Sequence, residues 1–253
     1  MAELSNGVKE GPMPKVTEDV YYIPGQDGFM PDAHTYVLGN PASQDLSIVD
    51  AGFIGKGNYK IQSILKEGIE LSGIKRIIMT HTHLDHIGCL AEIRKELPWV
   101  EVWAHRLEAD LLEQGDDRAV YGMNMFKTLC KLQFGLKPDA FKFKVDRKLD
   151  GGEALELGGM AWEAFHIPGH SMGSIGLYHR STKILIPGDV AYADHAIGRF
   201  DLYGANPTEL KKSLIRLSEL EVDILLPGHN QIVKGLPKDY LAKTARQWES
   251  YLH

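Results

Sequence analysis

Thr80-His81-Thr82-His83-Leu84-Asp85-His86-Ile87-Gly88 is the stretch on which the reading of this chain turns. Ahead of it, Ile77-Ile78-Met79 is a short apolar run that reads as a buried strand; behind it, Ile87 to Leu97 reads as an amphipathic helix. Three imidazoles and a carboxylate therefore crowd one strand-to-helix loop. Both ligand types suit zinc, and imidazole also suits iron and other first-row metals. His81 and His83 are two apart, so in an extended segment they point the same way. Asp85 and His86 lie beyond the strand end, where the chain bends, and can face a second ion. A lone histidine in a surface loop would carry little weight. Four ligand-type residues between His81 and His86, flanked by a strand and a helix, carry much more.

His81-x-His83-x-Asp85-His86 resembles the signature of the metallo-β-lactamase-fold hydrolases. In that family three later loops supply a His, a bridging Asp and a last His. Pro168-Gly169-His170-Ser171, Pro187-Gly188-Asp189 and Pro227-Gly228-His229 match them in order, each after an apolar strand-like run. The resemblance spans about residues 16 to 235. It implies an α/β fold, a four-layer αββα sandwich of two mixed sheets with helices on the outer faces. It also implies a cofactor of two divalent ions per chain, zinc in first place, with iron at one or both positions as the other candidate. His81, His83 and His170 would bind one ion, Asp85, His86 and His229 the other, and Asp189 would bridge. The Asp that matches Asp50 orients a metal-binding His in the family, although Asp50 could equally be a turn residue or a helix cap.

The 253 residues are enough to bury a sizeable core, and 43% hydrophobic and 25% charged residues are those of a globular protein. A balance of 28 basic against 34 acidic side chains argues against a nucleic-acid partner, whose binding rests on phosphate neutralisation. The two cysteines, Cys89 and Cys130, lack metal-ligand spacing and read as thiols. Residues 1–15 are polar, without the apolar core of a signal peptide, and read as a flexible leader. No apolar run is long enough to span a membrane. These features favour a cytoplasmic protein acting on a small molecule; a homodimer is open.

Residues 16–253 read as one domain. Strands are expected at Val20–Ile23, His34–Leu38 and Leu46–Val49, the last two forming a hairpin. A helix follows over Asn58–Gly68, then the metal loop, a strand at Val100–Trp103, and a helix opened by His105. His105 has no neighbouring ligand and reads as a cap. Residues 116–138, rich in Met and aromatics, read either as a helical cap over the site or as an ordinary core helix. Short strands crowd the stretch from Glu153 to Ile186; a helix at Pro207–Leu220, a strand at Ile224–Leu226 and a closing helix at Leu236–Leu252 complete the chain.

Two ions about 3.5 to 4 Å apart can share a water and lower its pKa toward ~7. The resemblance thus implies a hydrolase in which a metal-bound hydroxide attacks an ester or lactone, with Asp85 both binding metal and orienting the nucleophile. No Gly-x-Ser-x-Gly elbow supports a serine mechanism. β-Lactamases of this fold have Cys or no ligand at the place of Asp189, and oxygen-reducing diiron relatives have Glu at the place of His83. Both are disfavoured, as is the nuclease branch, which carries a long inserted domain. Tyr192, three residues past Asp189, is similar to a Tyr of acyl-homoserine lactonases that hydrogen-bonds the substrate carbonyl. Gly198-Arg199 resembles a pair in glyoxalase II-like thioester hydrolases. Tyr192, Arg199 and His34 are accordingly candidates for substrate binding, with Tyr192 also catalytic, and lactone is slightly favoured over thioester. Persulfide dioxygenases, with a single iron on His81, His170 and Asp189, are the further alternative.

Overall fold

Along the strand at Ile74–Ile78, Ile77 faces one apolar cluster and Ile78 another. The alternation recurs at Val37 and Tyr36, Ile48 and Val49, and Val102 and Trp103. A strand whose successive residues are all apolar and all buried must be covered on both faces. The computed structural model of the protein, which describes residues 13–28 and 30–253, shows how.

Strands β1 (Lys15–Thr17), β2 (Val20–Ile23), β3 (Thr35–Leu38), β4 (Leu46–Val49), β5 (Ile74–Ile78), β6 (Glu101–His105) and β7 (Arg147–Leu149) lie side by side in chain order. β1 to β4 pair antiparallel, and β4 to β7 parallel. The parallel steps need crossovers, which helices supply. These are α1 (Gly57–Lys66), the metal-loop helices α2 (Leu84–Ile87) and α3 (Leu90–Glu96), then α4 (Arg106–Gln114), α5 (Arg118–Tyr121) and α6 (Asn124–Phe134). The second sheet holds β8 (Ala154–Leu157), β9 (Met160–His166), β10 (Ile175–His179), β11 (Ile184–Gly188), β12 (Ile224–Pro227) and β13 (Val233–Lys234), with only β11 and β12 parallel. Helix α7 (Pro207–Ser218), capped by Asn206, makes that crossover, and α8 (Tyr240–Trp248) packs beside it.

Three apolar clusters lie between four layers. The first joins α1 to α6 to the first sheet, the second fills the gap between the sheets, and the third joins the second sheet to α7 and α8. Leu177 faces the middle cluster and Tyr178 the outer one; Leu226 and Leu225 repeat the pattern. This is the αββα sandwich that the resemblance implies.

Several expectations need correction. Residues 1–12 of the expected leader lie outside the described residues, but Met13 is buried and Lys15 starts a strand, so the leader does not extend to residue 15. The expected helix over Ile87–Leu97 is two helices, because the Cys89 amide donates to Gly52 O rather than to the carbonyl one turn back. Cys89 and Cys130 are both free and buried. No described helix is long and apolar enough to cross a membrane.

Candidate metal centre

All the loops that matter leave the same end of the two sheets. The chain leaving β5 turns at Thr80, whose amide and hydroxyl both donate to the Asp50 carboxylate at 2.7 Å. His81 and His83 follow, their ring centroids 4.6 Å apart. His83 precedes α2, and Asp85 and His86 sit in its single turn. His170 arrives from the loop after β9, Asp189 from the end of β11 and His229 from the end of β12.

The seven side chains fall into two groups, His81/His83/His170 and Asp85/His86/Asp189/His229, with the candidate ligand atoms of each group all within 4.8 Å of one another. Asp189 reaches both. Its Oδ2 is 3.6 Å from His170 Nε2 in one group and 3.5 Å from His229 Nε2 in the other. All three Pro-Gly pairs show why glycine precedes the ligand: at Gly169, with φ +131°, a Cβ would lie 2.2 Å from the Leu210 amide nitrogen. Gly188 has φ +54°, which favours glycine, and a Cβ on Gly228 would lie 2.1 Å from Asp189 Oδ1.

Three of the five histidines have their outer nitrogen occupied. His86 Nδ1 bonds Asp50 Oδ2 at 2.9 Å, His170 Nδ1 donates to the Arg199 carbonyl at 2.7 Å, and His81 Nδ1 meets the Thr80 hydroxyl at 3.1 Å. His83 Nε2, His86 Nε2 and Asp189 Oδ1 are buried with no hydrogen-bond partner. Buried polar atoms are ordinarily satisfied; His83 Nε2 in one group, and His86 Nε2 and Asp189 Oδ1, 3.3 Å apart, in the other, are placed as ligand atoms for an ion in each group. His81 Nε2 and His170 Nε2, 3.1 Å apart, converge in the same way. Burial holds His81 and His170 below the usual imidazole range and pushes His83 down to about 3. Three neutral imidazoles with inward lone pairs, and two carboxylates held in the ionised form, are the donor set that a divalent ion takes. At His86 and His229 burial acts the same way, but the Asp189 carboxylate, with Asp50 or Asp85, outweighs it and raises both. The residues fit two divalent ions.

Asp50 holds the orienting place, with both oxygens bonded to Thr80 and one also to His86. Tyr192 is buried against Asp189, and burial together with that carboxylate pushes its phenol well above its usual value, so it stays a donor at neutral pH. Arg199 lines the same cavity, but its guanidinium is paired in a fork with Asp201, at 2.9 and 2.8 Å. What it gives the site is the backbone carbonyl that holds His170. His34, expected to bind substrate, does not line the cavity. Its Nδ1 accepts from the Gly25 amide at 2.8 Å and its Nε2 bonds Asn230 O at 2.6 Å, so both ring nitrogens are spent tying the 25–34 loop to the His229 loop. His105 caps α4, accepting from the Leu107 amide.

A cavity of about 590 Å³ opens over the ligands. Its floor includes His83, Asp85, His170, Asp189 and His229; its walls are apolar where Met30, Pro31, Leu202 and the α5–α6 side chains Val120, Met123, Met125, Phe126 and Leu129 stand, and polar at Asp27, Arg199 and Asn230. Within residues 116–138, α5 and α6 are helical, and side chains of both wall the site.

Sequence comparison matches residues 32–229 to the profile of the metallo-beta-lactamase superfamily. The chain belongs to that superfamily. It is 31% identical over 189 residues to the probable metallo-hydrolase YqgX of Bacillus subtilis (strain 168), covering 74% of this chain and 78% of that protein. It is 31% identical over 190 residues to the hydroxyacylglutathione hydrolase GloC of Haemophilus influenzae, covering 74% and 80%. Among solved structures, the BLEG-1 B3 metallo-beta-lactamase superposes with a TM-score of 0.67 at 28% identity, covering 85% of this chain and 93% of that one. TTHA1623 in a di-iron-bound form superposes at 0.64 and 26% identity, covering 88% and 98%. This metallo-beta-lactamase-fold chain is therefore a metal-dependent hydrolase by family and by its ligand set.

Glu108, which no motif marks, bonds both the metal loop and the loop after His170. Its spacing from His105 is that of a helix-capping pair, so its sequence signal points to a different role. The Lys60–Asp32 ion pair, at 3.3 Å with neither side chain exposed, fixes the rim loop to α1 and also has no motif.

Proposed function

We propose that this chain hydrolyses acyl thioesters whose acyl group is apolar, using two divalent ions, zinc or iron, held by His81, His83, Asp85, His86, His170, Asp189 and His229. The observation that carries the reading is the cavity. An apolar wall built by α5, α6 and Leu202 stands directly over a polar floor of ligands, which is the shape an apolar acyl group with a reactive carbonyl requires. Thioester rather than oxygen ester is supported by the relative that acts on hydroxyacylglutathione.

Two ions in this site would supply a nucleophile from water at neutral pH and polarise the scissile carbonyl. The chain's own residues do the rest. Asp85, whose carboxylate lines the cavity floor beside His229, can orient the attacking water through a hydrogen bond. The apolar wall excludes bulk water and aligns the acyl chain. Tyr192, neutral and on the floor, can donate to the carbonyl oxygen as negative charge grows there.

Tyr192 also supports a second reading, lactone hydrolysis, and one experiment separates the two. Rates per enzyme are compared on glutathione and coenzyme A thioesters, acyl lactones and a β-lactam. Thioester turnover at least about tenfold above lactone turnover, a difference of 1.4 kcal/mol, supports the primary reading. The reverse order overturns it in favour of lactone, and turnover confined to the β-lactam overturns both. Tyr192→Phe deletes only the hydroxyl. Loss of one such donor costs about 10²- to 10³-fold in well-placed cases. With metals sharing the charge, a fall of at least about tenfold in kcat with unchanged metal content is expected. An unchanged rate removes Tyr192 from the reaction.

A further inference from the structure

Glu108 is 1% exposed, and its carboxylate is spent on three donors that belong to two other loops. Oε2 accepts from the Thr82 amide at 2.8 Å and from the Thr82 hydroxyl at 2.9 Å; Oε1 accepts from the Gly173 amide at 3.0 Å. Thr82 stands between His81 and His83. Gly173 belongs to the turn that follows His170, in which Ser171 and Ser174 are also bonded to each other. The first loop leaves β5 of one sheet and the second leaves β9 of the other. A single side chain on α4 therefore joins the two loops that deliver the whole His81/His83/His170 group. Three further observations show that the junction is built. Gly173 leaves room for it, since a Cβ there would lie 2.8 Å from Glu108 Cγ and 2.9 Å from Cδ. The carboxylate sits in the first turn of α4, where the helix end favours negative charge. And the Ile175 amide donates to Thr80 O at 2.7 Å, so the same two loops also touch directly beside it.

We infer that Glu108 is a positioning residue, which sets the spacing and direction of His81, His83 and His170 and thereby the affinity of that position for its ion. The inference rests on the two-ion reading above. Hydrogen bonds from amides to a carboxylate are about twice as strong as neutral ones, and an ionised carboxylate can accept all three at once. Glutamine keeps the shape but turns an NH₂ group toward one set of N–H donors.

The test is metal binding rather than turnover. Chelator-treated protein is titrated with Co²⁺ against a chromophoric chelator while its visible absorption is followed, and the step lost in His83→Ala identifies the His81/His83/His170 position. In Glu108→Gln that step should weaken about 10- to 100-fold, the usual cost of removing a group that orients a ligand, with altered cobalt bands, while the other step stays in place. Thr82→Val, which deletes only the hydroxyl bond, should weaken the same step by about 2- to 10-fold. If both steps and both spectra match wild type and only the urea midpoint falls, Glu108 is a structural residue and the inference is overturned. If Glu108→Gln does not fold, Thr82→Val decides alone, and unchanged affinity overturns the inference. A wild-type chain that binds a single ion counts against the two-ion reading, not against Glu108, which is then judged on the ion held by His83.

Discussion

Asp189 is the residue on which the two halves of the site depend. Its Oδ2 lies within 3.6 Å of a histidine from each ligand group, so its carboxylate is the one charge that can offset repulsion between two neighbouring cations. Asp189→Ala is expected to lower metal content from two ions toward one or none, and to cost more than the about 10- to 100-fold in affinity typical of an orienting group. Asp201→Ala is the matched control. Asp201 pairs with Arg199 at the surface, where such pairs contribute roughly 0–1 kcal/mol, so metal content should hold. Elemental analysis of both variants decides, and equal small losses would remove Asp189 from the centre. At this scale the seven side chains that converge were legible because short-range motifs carry them. Other contributions depend on which particular atoms touch what. His34 spends both ring nitrogens on backbone groups, one of them at Asn230, far away in sequence. Arg199 acts through its carbonyl, an atom every residue has. Residue type can reveal neither.

Among the elements, α6 bears most directly on substrate choice. Met125 is 70% and Leu129 48% exposed, yet both line the cavity mouth, so an apolar acyl group entering there would cover surface that water now touches. Burial of one methylene is worth about 0.8 kcal/mol, so Met125→Ser should raise KM for thioesters of longer acyl chains by roughly fourfold. Acetyl thioesters, too short to reach the mouth, should show little change, and kcat should hold for both. Steady-state kinetics across a chain-length series provides the check; an equal KM change at every length would place the acyl group elsewhere. The Met-rich composition of 116–138 was visible in the sequence, but whether these helices cover a site or fill a core depends on the cavity they face. The short edge strands β1, β7 and β13 were missed for a related reason: two or three residues carry no periodicity, and their pairing partners define them. The break between α2 and α3 likewise comes from a carbonyl, Gly52 O, contributed by another loop.

At the level of the whole molecule, the fold was legible because its strands are buried on both faces, which leaves continuous apolar runs, and because three Pro-Gly-ligand motifs mark where such runs end. The same architecture makes the metal centre a tie between sheets. His81, His83, Asp85 and His86 come from the first sheet and His170, Asp189 and His229 from the second. Without ions, the middle apolar cluster and a few polar links, such as Tyr36 Oη to Pro227 O at 2.6 Å and the His34 amide to Gly228 O at 2.8 Å, still hold the sheets together. Chelator-treated protein should therefore stay folded, with an intact far-UV spectrum, but be less stable. An ion that binds only the folded chain adds about 2.7 kcal/mol at a free concentration of 100 Kd. With a urea slope of roughly 2 kcal/mol per molar, near the middle of the usual range, restoring Zn²⁺ to that level should move the unfolding midpoint up by more than about 1 M. Asp189→Ala should lose most of that shift and also lower the metal-free midpoint, because it strips His86, His170 and His229 of the buried carboxylate they face. A midpoint that ignores Zn²⁺ in wild type would show that the seven side chains, however well they converge, do not bind the ion in the folded state.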